Sequence, residues 1–127
     1  MKVKTRDQRK KVLANAKKAN VKNLGHAGAK IRLVARRSIR RSKKPAQPGK
    51  PPHTRRGKLK EAIAYAVEKQ DSRVLIGPRH EVVGDSAKAH EFGGFFRKEK
   101  YERRPFMGPA LEKVKDTLPA LWANSVR

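Results

Sequence analysis

The chain has 127 residues, 36% hydrophobic and 35% charged, with 34 Lys and Arg against 11 Asp and Glu, a formal net charge of +23. That length holds one compact domain with a small core, and a charge of this size repels itself unless a partner supplies counter-charge. The absence of cysteine excludes disulfide frameworks and thiolate metal sites.

The charge is unevenly distributed. Residues 1–60 carry 22 Lys and Arg and a single acid, Asp7, a formal +21, whereas residues 61–127 carry 12 basic and 10 acidic residues, a formal +2. The first half is a polycation and the second an ordinary, nearly neutral globular piece. No apolar run has the length of a signal peptide or a membrane span, so the expectation is a soluble protein made in the cytoplasm.

In chain order, residues 6–41 predict a helix: they are rich in Ala, Lys, Arg and Leu and contain no proline. Leu24, Ile31, Val34, Ala35 and Ile39 recur at helical spacing and draw an apolar stripe, which Leu13, Ala16 and Ala27 continue less regularly. Lys17, Lys18, Lys22, Lys30, Arg32, Arg36, Arg37, Arg40 and Arg41 fall on the other faces and are the candidate polyanion-binding residues. Gly25 and Gly28 each cost about 1 kcal/mol relative to Ala, which predicts a kink or break near 25–28.

Residues 42–58 contain four prolines and two glycines and predict an extended loop or arm. Residues 59–127 predict an α+β core. It begins with a helical turn over 59–62, then a hairpin whose strands are Ile63–Val67 and Arg73–Ile76 around a Gln70–Ser72 turn. Residues 80–85 are expected to extend that hairpin or add a third strand, and 86–92 to be helical up to Gly93-Gly94. Residues 95–104 read as a charged, aromatic-bearing loop or strand edge. Pro109 suits the first turn of a final helix with Leu111, Val114 and Leu118 on its buried face, and Pro119 should break or kink it before Leu121, Trp122 and Val126. The fold class is therefore α+β in a single domain: a long basic N-terminal helix, a Pro-rich arm, a small antiparallel sheet and a C-terminal helix.

No constellation supports catalysis, a metal or another cofactor. His80-Glu81 and His90-Glu91 each lack the second histidine four residues on, where Gly84 and Gly94 stand. Gly84-Asp85-Ser86 superficially resembles a hydrolase nucleophile turn, but the roughly 40 residues after it cannot supply the α/β scaffold that such a turn needs. Glu91, Glu99 and Glu102 lie among Arg and Lys and read as ion-pair members. For nucleic acid, the basic half is a strong electrostatic signal with no specificity. Residues 1–60 contain no Phe, Tyr or Trp for base stacking, so any contact with double-stranded DNA would be with its backbone.

An ordered series of motifs runs from 48 to 112. It comprises Pro48-Gly49-Lys50-Pro51-Pro52-His53-Thr54, then Arg56-Gly57-Lys58-Leu59 and Ile63, Ile76-Gly77-Pro78, Ala89-His90-Glu91-Phe92-Gly93, and Arg104-Pro105-Phe106-Met107-Gly108-Pro109-Ala110-Leu111-Glu112. This series resembles the tailed-phage family of small head–tail joining, or tail-completion, proteins. In that family a basic helix leads to a Pro-Pro arm, a strand pair, a Glu-Phe-Gly turn and an Arg-Pro-Phe approach to the last helix. The resemblance implies a non-enzymatic structural subunit of the virion. It would form a homo-oligomeric, six-fold ring between head connector and tail tube, touching other neck, connector or tail-tube proteins and no membrane. Tail-completion, terminator and head-closure roles all stay open.

Within the series Phe106 and Leu111 are expected as core anchors and Phe92 as buried. Pro105 and Pro109 rigidify the approach to the last helix, Gly93 permits a turn, and Glu91 and Arg104 are candidates for a salt bridge across it. The other reading is a non-specific nucleic-acid-binding protein of ribosomal or nucleoid type, which would share the charge but has no need of residues 89–112.

Overall fold

The computed structural model describes residues 2–123, with side chains from Gln8 onward; Val126 lies outside the described residues. Helix α1 (Lys2–Ser38) is 37 residues long, about 55 Å at 1.5 Å per residue. It passes through Gly25 and Gly28 without a break. Gly28 serves close packing instead of a kink. A Cβ on Gly28 would lie 2.8 Å from Tyr65 Cδ2 and 2.8 Å from Val74 Cγ2, so the bare backbone is what lets the helix settle on the hairpin. The helix stops at Ser38, three residues before the expected end.

Arg40 and Arg41 instead form a short strand, β1 (Arg40–Arg41), paired in parallel with β2 (His53–Thr54). This pairing closes the Pro-rich segment into a loop held against its own chain. Ala46 and Pro52 are buried, the Gly49 N–H donates to Arg103 O (2.8 Å), and Arg104 Nε donates to Ala46 O (2.7 Å).

Gly57, at φ +81, then starts α2 (Lys58–Ala62), and its N–H donates to Thr54 Oγ1 at 3.1 Å. The hairpin follows as expected, with β3 (Ile63–Glu68) antiparallel to β4 (Arg73–Pro78) in a register that pairs Tyr65 with Ile76 and Val67 with Val74.

Residues 80–83 depart from the expected strand and form one helical turn, α3 (His80–Val83). Pro78 ends β4, the Arg79 carbonyl accepts the N–H groups of Val82 and Val83, and Gly84 at φ +58 terminates the turn. Local hydrogen bonding here overrides the β-propensity of two adjacent valines.

Next come α4 (Ser86–Phe92), capped by Gly93 at φ +74, and a second antiparallel hairpin, β5 (Gly94–Phe96) with β6 (Glu99–Tyr101). The described residues end in α5 (Met107–Val114), a 3-10 turn over Lys115–Thr117, and α6 (Pro119–Ala123), where Pro119 opens the new helix.

The core joins both halves of the sequence. Ile31 and Ala35 of α1, and Ile39 just beyond its end, pack with Leu59, Ile63, Ala87, Phe106, Ala110 and Val114. Phe106, Ile39 and Ile63 are the large, almost fully enclosed side chains, each worth about 1.5–3 kcal/mol of burial. Leu111 is not among them: it is 46% exposed, because α5 turns Met107, Ala110 and Val114 inward and Leu111 lies one residue off that stripe. The α1 stripe also stops early. Residues 8–18 are exposed throughout, so the first turns of α1 stand clear of the body, with Val12 and Leu13 uncovered.

Candidate polyanion-binding surface

A helix that buries Leu24, Ala27, Ile31 and Ala35 turns its remaining faces to solvent, and here those faces are basic. The nine predicted residues do not form one uniform patch. Lys17, Lys18 and Lys22 come together, with Lys69 from the β3–β4 turn, around an open groove of about 590 Å³ between α1 and the hairpin tip. Asn20 and Ser72 also line it, and Asn20 Oδ1 accepts a hydrogen bond from Trp122 Nε1 (3.0 Å), which fixes that stretch of α1 to the C-terminal helix.

The other predicted residues divide between solvent and scaffold. Arg37 and Arg40 are exposed, and Lys30 Nζ donates to Thr117 Oγ1 (2.6 Å). Arg32 is committed to the fold, its Nε donating to Ile63 O at 2.8 Å where α2 passes into β3. Arg36 is half-buried, with its Nε enclosed and without a hydrogen-bond partner. Arg41 Nε donates to Arg55 O (3.3 Å) and so braces the loop.

Sequence reasoning passed over Arg9, Lys10 and Lys11, which ride on the free turns of α1, and Lys69, which is remote in sequence from the helix it joins. The run Arg9-Lys10-Lys11 was itself a usable signal for the first three. Nothing in the sequence pointed to Lys69.

Electrostatically the two halves do not neutralise each other. Among the described residues the ion pairs are Arg73 with Glu68 and Asp71, His80 with Asp85, and Lys115 with Glu112. All lie in the near-neutral half, and no basic side chain of residues 8–60 has a carboxylate partner. Glu68 is held below the usual carboxylate range by its hydrogen bond from Arg73.

The motif residues form a structural unit beside this surface. Pro51 is half-buried, Pro52 and Leu59 are buried, and Gly57 takes the left-handed conformation. Glu91 and Arg104 do not pair as expected. Phe106, at the N-cap position of α5, has no side-chain acceptor to offer. Glu91 supplies one from α4, accepting the N–H groups of Phe106 (2.8 Å), Met107 (3.0 Å) and Gly108 (2.9 Å). Arg104 is left to hold the Pro-rich loop, and Pro105 and Pro109 are half-buried on either side of the cap.

Phe92 also departs from expectation. It is 71% exposed, in the last turn of a helix whose buried residues are Ala87 and Ala89, and Phe95 beside it is 77% exposed. His90, between Glu91 and the core, packs its ring 5.0 Å from Tyr101. Burial, reinforced by the nearby Arg104 charge, pushes its pKa down.

No cluster of three or more His, Asp or Glu able to hold a metal occurs among the described residues, and none of their helices is long and apolar enough to cross a membrane. Comparison of the chain with protein-family models, with curated proteins and with solved structures gives no match.

Proposed function

We propose that this chain is a structural subunit of a tailed-phage particle, assembling as a ring at the head–tail junction and facing a polyanion with its basic helix. The reading rests first on the ordered motif series between residues 48 and 112 and its resemblance to the head–tail joining family. The observation that carries it further is the division of those motif residues. Pro52, Leu59, Glu91, Gly93 and Phe106 have work inside the subunit, whereas Phe92 has none and stands 71% exposed beside Phe95.

The occupant we assign to that aromatic patch is a second copy of this chain. Val12 (58%) and Leu13 (62%) on the free turns of α1 are also uncovered. Two unlike patches on one molecule make a head-to-tail contact, the kind that closes rings. The aromatic patch lies in the half whose formal charge is only +2, so the contact itself adds little to the repulsion between the +21 halves of neighbouring copies, which salt screens. The basic faces of α1 and the Lys17–Lys22 groove are then free for the phosphate backbone of double-stranded DNA, bound without base readout.

The 19 basic residues between 8 and 60 equally suit a non-specific nucleic-acid-binding protein of ribosomal or nucleoid type. Electron microscopy at high salt and DNA titration at low salt, on the purified chain and on Phe92→Asp, separate the two readings. The proposed function predicts rings that Phe92→Asp abolishes while the monomer keeps its DNA affinity. A protein that binds DNA tightly, forms no rings and is indifferent to Phe92→Asp would be the nucleic-acid binder instead.

A further inference from the structure

A second cationic site lies away from α1. The β2–α2 corner, α4 and the β5–β6 turn surround an open cavity of about 320 Å³. Arg55, Lys58 and Arg97 line it together with His53 and His90, and no carboxylate does. Among the described residues none of these cations is in an ion pair. Gathering like charges without a counter-ion opposes folding, so the arrangement is economical only when an anion sits among them.

Several of these groups are held in place by other contacts. His53 Nδ1 lies 2.8 Å from Lys44 O, which leaves its Nε2 uncommitted. The Arg97 guanidinium rests over the Phe96 ring, 5.2 Å from its centroid. His90 Nδ1 is enclosed and has no hydrogen-bond partner. Leu59 and Val83 give the cavity apolar wall, which strengthens charge-assisted hydrogen bonds inside it.

The turn itself is informative. Arg97 and Lys98 both have positive φ (+51° and +67°), in a two-residue hairpin connection where Asn-Gly would be unstrained. Holding L-residues there costs about 1–2 kcal/mol each. The local conformation does not explain an arginine at this position, but a ligand beside it would.

We propose that this cavity is a binding site for a phosphate-class oxyanion, either a phosphodiester of nucleic acid or free inorganic phosphate. Arg55 and Arg97 would engage the oxygens as paired donors, with Lys58 adding a third positive charge and His53 Nε2 a further hydrogen-bonding nitrogen. The site uses no residue of α1 and does not depend on ring formation.

The test is calorimetric titration of the full chain with inorganic phosphate at fixed low salt and, separately, with a short DNA duplex across a series of salt concentrations. Three proteins are compared: wild type, the double variant Arg55→Ala/Arg97→Gly, and the charge-matched control Lys17→Ala/Lys22→Ala. Glycine at 97 relieves the turn, so the double variant should unfold no more easily than wild type in urea. The expected result is a loss of about tenfold or more in phosphate affinity for the double variant and little for the control. If the cavity holds a phosphodiester, the double variant also lowers the salt-dependence slope for the duplex by about 1 to 2; if it holds free phosphate, that slope is unchanged. Equal phosphate affinity in wild type and double variant, or an equal loss in the control, would overturn the proposal.

Discussion

The carboxylate of Glu91, in the last turn of α4, accepts the backbone N–H of Phe106 at 2.8 Å, 15 residues further along the chain. It also takes the next two N–H groups, so one side chain caps α5 and anchors the residue at the centre of the core. Removing it leaves three donors at a helix start with no protein acceptor. Glu91→Ala should destabilise the fold by about 3 kcal/mol, with Glu91→Gln between it and wild type. Urea unfolding followed by circular dichroism checks the order; a loss below about 0.5 kcal/mol for Glu91→Ala would contradict the cap.

The two glycines of α1 should respond to alanine with opposite signs. At Gly25 the nearest atom to an added Cβ is Val67 Cγ2 at 4.0 Å, so Gly25→Ala gains helix propensity without a clash and should stabilise by up to about 1 kcal/mol. At Gly28 the same methyl would meet Tyr65 and Val74 at 2.8 Å, so Gly28→Ala should destabilise by about 1–2 kcal/mol as the hairpin is pushed away. Thermal melts of the two variants suffice, and stabilisation by both would show that the helix does not rest closely on the hairpin.

His90 sets part of the acid sensitivity. Its folded-state pKa lies below the ordinary 6.5, chiefly through burial, so the folded protein resists a proton that the unfolded chain accepts. The contribution is absent above about pH 6.5 and becomes increasingly destabilising as pH falls from there toward the folded-state value. His90→Gln should therefore lose less stability than wild type between pH 7.5 and 5.5. Parallel stability curves over that interval would remove His90 as the cause.

Phe92 should matter to assembly and not to folding. A side chain 71% exposed contributes little burial within the monomer. Phe92→Asp should melt within about 2 °C of wild type while failing to associate, as read by size-exclusion chromatography with light scattering. A large drop in melting temperature would place Phe92 in the fold rather than in an interface.

Much of the architecture was legible in the sequence because it rests on local signals. The long apolar spacing of α1, the alternation of Ile63, Tyr65 and Val67, the Gly93 stop and Pro109 in the first turn of α5 each have a near-neighbour cause. The errors came where a distant partner decides. The motif order offers Arg104 as a salt-bridge partner for Glu91 across the Gly93 turn, but helix N–H groups and a loop carbonyl claim the two residues separately.

Hydrophobicity alone suggested that Phe92 and Leu111 would be buried, yet nothing local says which apolar residues a small core can accommodate. Of the candidate polyanion surface, the charge of α1 was plain. That Lys69 would join Lys17, Lys18 and Lys22, and that Arg32 would be diverted to a backbone carbonyl, depended on where the hairpin docks.

The central claim is a self-assembling subunit whose copies repel through their basic halves. Sedimentation velocity of the nucleic-acid-free protein across a salt series tests it most directly. Added salt screens the repulsion between copies within about a Debye length, so the account predicts a shift from monomer at low salt to one closed oligomer of fixed mass at high salt, absent in Phe92→Asp. A protein that stays monomeric at every salt concentration and protein concentration, with DNA as without it, would contradict the account.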